Sequence, residues 1–120
     1  IQMSSSEKRE DNLSNIFFAI SDPTRRRILE LLLETDLYPN EIHAIFKFSL
    51  PTISNHLRVL FDCGLVTRER ESQKVKYSIN LFYFKDAQLW LETFGQTDLI
   101  DYDNIEYLLE TLDKESILNK

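Results

Sequence analysis

The 120-residue chain has one cysteine, Cys63, two histidines, His43 and His56, and two glycines. A single cysteine excludes an intramolecular disulfide and suits a reducing compartment. It also lacks the resolving thiol that a redox switch usually needs, so packing is the expected role of Cys63. A soft-metal or zinc site needs about four converging thiolate, imidazole or carboxylate ligands, and so few thiols and imidazoles argue against one. With two glycines there is no glycine-rich phosphate loop, and neither a nucleophile elbow nor a convincing acid/base pair is present, which argues against catalysis. No long apolar run suggests a membrane span, and no apolar segment near the start reads as a signal peptide. The cytoplasm is the expected location.

What the chain does have is a stretch around which the rest is organised, YPNEIHAIFKFSLPTISNHLRVL from Tyr38 to Leu60. Pro39 is suited to a first helical position, and Ile42, Ile45 and Phe46 give a short helix an apolar stripe. Phe48 and Ser49 make a turn, Ser49 caps the next helix, and that helix starts at Leu50 with Pro51 as its second residue. On a wheel of about 100° per residue, Ile53, Leu57 and Leu60 anchor it in the core. Pro51, Thr52, Asn55 and Arg58 fall on the opposite side, with Ser54 and His56 on the flanks. This outward face is small, polar and free of carboxylates until Asp62. It suits a DNA major groove, where Asn, Ser, Thr and His meet base edges and Arg meets guanine or phosphate. On spacing alone a solvated helical hairpin fits equally well.

The following residues favour the first reading. In LVTRERESQKVKYSI, Leu65 to Ile79, the spacing of Val66, Val75, Tyr77 and Ile79 predicts two strands joined near Ser72 and Gln73. Arg68, Arg70, Lys74 and Lys76 place basic groups at and beside the tip. A recognition helix followed by a basic hairpin is a winged helix-turn-helix layout, with the helix in a major groove and the wing on neighbouring backbone.

Three motifs, SDPTRRRILELL (Ser21 to Leu32), FSLPTISNHLRVL (Phe48 to Leu60) and DCGLV (Asp62 to Val66), resemble the ArsR/SmtB-type repressors. The resemblance covers roughly Ile16 to Phe94 and looks closest to the metal-independent, SdpR-like autorepressor branch. It implies a mainly α fold with a small β-hairpin: a three-helix winged helix-turn-helix core with C-terminal dimerisation helices. It implies a homodimer on a palindromic double-stranded DNA operator that blocks transcription. Pro51, Thr52, Ser54, Asn55 and His56 would meet the major groove, Arg58 a phosphate, and Arg70, Lys74 and Lys76 the flanking backbone. Phe17 and Phe18 of the first helix, with Phe82, Phe84, Leu89, Trp90 and Phe94 after the wing, would form the dimer interface. Sensor members bind metal through cysteines on the first helix of the motif or through Asp and His on the C-terminal helix. Here Pro39 to Phe46 has no cysteine and Phe82 to Phe94 no histidine. No metal and no cofactor are therefore expected. The wing turn has Ser72 where the family commonly has glycine.

The net charge of −6 looks wrong for a nucleic-acid binder until it is located. From Leu81 onward three basic residues face nine acidic ones, whereas between Lys47 and Lys76 six basic residues face three acidic ones. Binding responds to the field within a Debye length of about 8 Å, not to the total.

Residues 1–12 are polar and without apolar periodicity and read as a disordered arm. Residues 13–94 form the DNA-binding and dimerisation domain. Leu13, Ile16, Phe17 and Ile20 mark the buried face of its first helix, with a place in the monomer core the alternative for the phenylalanines. Asp22 and Pro23 then cap a second helix with Ile28, Leu29, Leu32 and Leu33 as its core. Arg25, Arg26 and Arg27 near its start oppose the helix dipole, so either phosphates or local salt bridges are expected to hold them, with Arg25 matching a family position that supports the fold. Residues 95–120 form an acidic extension whose Ile105, Leu108, Leu109 and Leu112 define an amphipathic helix. Two other readings stay open: a protein-interaction module working through that helix, and a repressor that responds to a small molecule.

Overall fold

The computed structural model describes residues 4–95 and 102–118. The chain divides into two compact units, Ile1–Ala87 and Gln88–Lys120. In the first, helix α1 (Ser5–Ile20) precedes α2 (Pro23–Glu34), the short α3 (Pro39–His43) and α4 (Leu50–Asp62). Strands β1 (Val66–Glu71) and β2 (Lys74–Ile79) then form an antiparallel hairpin, followed by a 3₁₀ turn (Leu81–Phe84). Helix α5 (Lys85–Gly95) begins in the first unit and ends in the second, which also holds α6 (Tyr102–Leu118). This is a mostly helical winged helix-turn-helix. Among the described residues no helix is long and apolar enough to cross a membrane.

The expected disorder of residues 1–12 is corrected from Ser5 onward, because α1 begins there rather than at Leu13. The physical reason is a capping box: Glu7 N–H donates to Ser4 Oγ (3.2 Å) and Ser4 N–H to the Glu7 carboxylate (3.3 Å). A solvated first half needs no apolar stripe once its end is capped.

One core joins Leu13, Ile16 and Ala19 of α1, Ile28, Leu29 and Leu32 of α2, Ile42 of α3 and Ile53, Leu57 and Leu60 of α4 with Leu65, Val66 and Tyr77 of the wing. Two expected core residues are absent from it. Leu33 is 61% exposed and lines a shallow apolar groove with Leu29, Ile79, Leu81 and Phe84. Ile45 is exposed because α3 ends at His43 and the chain tightens into i→i+3 bonds from Ile45 to Ile42 and from Phe46 to His43.

The join between α4 and the wing is a Schellman motif. Gly64 sits at φ +86°, the Leu65 N–H reaches the Leu60 carbonyl and the Gly64 N–H the Phe61 carbonyl, both at 3.0 Å. Leu60 and Leu65 are both fully buried. The hairpin pairs Val66 with Ile79 through Glu71 with Lys74, leaving Ser72 and Gln73 as a two-residue turn with Ser72 at φ +59°. Leu37 adds a one-residue third strand by exchanging both backbone hydrogen bonds with Tyr77 (3.0 and 2.8 Å).

Candidate nucleic-acid interface

Helix α4 starts where its cap predicts. The Thr52 N–H donates to Ser49 Oγ at 3.4 Å, the two hydroxyls lie 2.9 Å apart, and Pro51 occupies the first turn. Ile53, Leu57 and Leu60 pin one side into the core, and Pro51, Thr52, Ser54, Asn55 and Arg58 are exposed. Arg58 Nη2 donates to Asn55 Oδ1 at 2.6 Å, so these two side chains act as one unit.

His56 is set apart from that exposed group. Its side chain is only 15% exposed, with Nδ1 3.3 Å from Arg25 Nη1 and 3.9 Å from an Asp22 carboxylate oxygen. Arg25 is itself buried at 8% exposure. Its Nε donates to the Ala19 carbonyl (2.6 Å), its Nη2 to the Phe18 carbonyl (3.1 Å), and its guanidinium lies 5.4 Å from the Phe18 ring. Arg26 donates to the Ile20 carbonyl at 2.7 Å and Arg27 pairs with Glu30 at 3.2 Å. Arg25 and Arg26 thus donate to carbonyls at the end of α1, where positive charge is favourable, while Arg27 is held by Glu30. Partial burial pushes the Asp22 carboxyl up, but the Arg25 N–H bond, the nearby His56 and Arg25 side chains and the Thr24 N–H together leave it below its ordinary value.

The wing does not gather its basic residues on one side. Side chains alternate along a strand, so Arg70 shares a face with Val75, and Arg68 with Tyr77, whereas Lys74 and Lys76 lie on the other with Glu71 and Glu69. Arg68 lies 4.0 Å from the centre of the Phe61 ring, a cation–π contact that braces the wing against the last turn of α4. On the opposite face Tyr38 donates its hydroxyl to Glu71 at 2.5 Å, and Lys74 and Lys76 lie 5.4 and 5.5 Å from its ring centre. The Glu71 hydrogen bond holds the Tyr38 hydroxyl above its usual pKa, with burial and the charges of Glu71 and Glu41 adding to it. Tyr38 and Arg68 were not among the expected site residues. Alternation in β1 and β2 was the available signal for the two faces.

The exposed, carboxylate-free face of a buried-anchored second helix, followed directly by a braced basic hairpin, is the arrangement a regulatory DNA-binding head requires. The family model for "Bacterial regulatory protein, arsR family" matches residues 22–68. The chain is 39% identical over 90 residues, 72% of its length, to the whole of the transcriptional repressor SdpR of Bacillus subtilis. The chain belongs to the arsR family. Among solved structures, an ArsR family transcriptional regulator superposes with a TM-score of 0.67 at 26% identity, over 72% of this chain and 90% of that one. A homodimeric winged helix-turn-helix DNA-binding domain from Mycobacterium bovis shares the fold with a TM-score of 0.63 at 21% identity, over 85% and 96% of the two chains. As an arsR-family member the protein is a transcriptional regulator with a DNA-binding winged helix-turn-helix.

Of the residues expected at a dimer interface, Phe17 and Phe84 are half-buried and pack against the core of the first unit, whereas Phe18 and Phe82 are 64% and 73% exposed. In the second unit Leu89, Trp90 and Phe94 are exposed, with the Trp90 and Phe94 rings edge to face at 4.9 Å. Cys63 is half-buried with its thiol 3.3 Å from the Leu60 carbonyl, and burial pushes its pKa up. That disfavours the reactive thiolate.

Proposed function

We propose that this arsR-family regulator is a repressor that binds a palindromic operator as a homodimer, without a metal or other cofactor, and silences a promoter by occlusion. No catalytic step is part of this role, and its place of work is the cytoplasm, with the DNA it binds. The observation that carries the reading is the outward face of α4, where Pro51, Thr52, Ser54, Asn55 and Arg58 lie exposed without a carboxylate among them. In this reading residues 13–94 form the working domain. Arg58 also reaches a phosphate, His56 takes part through the edge of its ring, and Arg70, Lys74 and Lys76 attract flanking backbone from the two faces of the wing.

Repression is supported by the Bacillus subtilis relative, a transcriptional repressor all of whose length the chain covers. Dimerisation is supported by the homodimeric Mycobacterium bovis domain of the same fold and by the exposure of Phe18, Phe82, Leu89, Trp90 and Phe94. Two copies also match the two half-sites, about one helical turn apart, that such heads read. Metal independence is supported by the absence of cysteine between Pro39 and Phe46.

A second reading, protein recognition through the acidic α6, is favoured by its exposed Tyr107, Leu108, Leu109 and Leu112. Fluorescence anisotropy with the DNA upstream of the protein's own gene, at two salt concentrations, separates the two. The repressor reading expects binding that weakens steeply with salt, as released counterions require. Absence of binding at both concentrations would overturn it in favour of the second.

A further inference from the structure

We infer that the centre of the recognition helix presents hydrogen-bond donors rather than acceptors, and that each half-site therefore places a guanine against Asn55. The inference rests on the reading of α4 as the base-reading helix, and it adds which base chemistry that helix selects. Asparagine ordinarily reads adenine in a bidentate way, donating to N7 and accepting from the N6 amino group. In this protein the acceptor half of that pair is engaged, because Arg58 Nη2 donates to Asn55 Oδ1 at 2.6 Å. Oδ1 keeps a second lone pair. An adenine amino group approaching it, however, meets the positive guanidinium already there. The Asn55 amide group, two N–H donors, remains.

The neighbouring residue is biased in the same direction by a different arginine. Guanidinium groups only donate, so Arg25 Nη1, 3.3 Å from His56 Nδ1, makes that nitrogen the acceptor. The neutral ring then carries its proton on Nε2, and its one remaining polar atom is a donor. The Asp22 carboxylate oxygen at 3.9 Å is too far for a hydrogen bond from Nδ1 and does not reverse this assignment. Arg25 and Arg58 are positioning residues: Arg58 occupies the acceptor of the exposed Asn55, and Arg25 that of the neighbouring His56. Among the four bases guanine alone offers two acceptors, N7 and O6, on its major-groove edge. Adenine sets a donor beside its acceptor, cytosine presents a donor, and thymine has one acceptor.

Selection of bound duplexes from a random pool with the full chain defines the half-site, and the position whose preference is lost in Asn55→Ala identifies the base that Asn55 faces. A guanine is expected there. Its replacement by adenine, or by 7-deazaguanine, which lacks the N7 acceptor, should weaken binding about tenfold, the scale of one base contact. Arg58→Ala should bring the guanine-to-adenine ratio toward one by freeing Oδ1, a change of preference that loss of a phosphate contact alone does not produce. Imidazole ¹⁵N spectra should show His56 protonated on Nε2. An adenine at the Asn55 position, a ratio unchanged in Arg58→Ala, or a proton on Nδ1 would each overturn the inference while leaving DNA binding intact. Recovery of no duplex at all would instead remove the reading on which it rests.

Discussion

Arg25 closes the end of the preceding helix: its Nε donates to the carbonyl of Ala19 at 2.6 Å while its own backbone N–H, 3.1 Å from Asp22, starts α2. One side chain thereby ends α1 and meets His56 of α4. Arg25→Met keeps much of the apolar volume but leaves the buried Ala19 carbonyl without its donor, while the Phe18 carbonyl keeps Ser21. It should lower unfolding free energy by about 1–3 kcal/mol, the cost of one buried acceptor left unpaired. Urea unfolding checks this, and a loss below about 0.5 kcal/mol would show that water replaces the guanidinium at little cost.

Gly64 faces two demands. Its φ of +86° disfavours any L side chain, and a Cβ built there lies 2.9 Å from the Tyr83 ring. Gly64→Ala should cost about 2 kcal/mol, roughly half of it from the backbone. The pair Gly64→Ala with Tyr83→Ala separates the two causes. In a double-mutant cycle the steric part should vanish and the backbone part persist.

Ser72 is the opposite case. It adopts φ +59° at the first position of a two-residue hairpin turn, a place where glycine is unstrained. Relief of about 1–2 kcal/mol of left-handed strain outweighs the roughly 0.5–1 kcal/mol of extra chain entropy that glycine loses on folding. Ser72→Gly should therefore raise the melting temperature slightly. A lower one would mean that the serine side chain stabilises the tip.

Two substitutions distinguish reading from attraction. Asn55→Ala should weaken operator binding by about 1–3 kcal/mol and relax selectivity at one base. Lys74→Ala should weaken all sequences alike and flatten the salt dependence by about one unit of slope. Mobility-shift titrations on specific and scrambled duplexes check both, and equal losses on the two duplexes for Asn55→Ala would exclude a direct base contact.

Much of the winged-helix architecture was legible in the chain. Ser49, Pro51 and the 3–4 spacing of Ile53, Leu57 and Leu60 marked α4 to its first residue, and alternation around Ser72 and Gln73 marked the hairpin. The first half of α1 is polar and carries no apolar periodicity, so its one local signal is the capping box that Ser4 and Glu7 spell. Leu33 and Ile45 show the limit of periodicity: it identifies a stripe but not where the neighbouring element stops covering it. The inward turn of His56 depends on a contact with Arg25, 31 positions away, which no local pattern contains. The opposite placement of Arg70 and Lys74 was implicit in strand alternation.

The clasp of Tyr38 on Glu71, beside the added bridge from Leu37 to Tyr77, has a consequence for the speed and tightness of docking. A bare two-stranded ribbon is marginal in water. Here the ribbon is already immobilised in the free protein, so the loss of chain freedom falls at folding and little remains to be lost on encounter with the double helix.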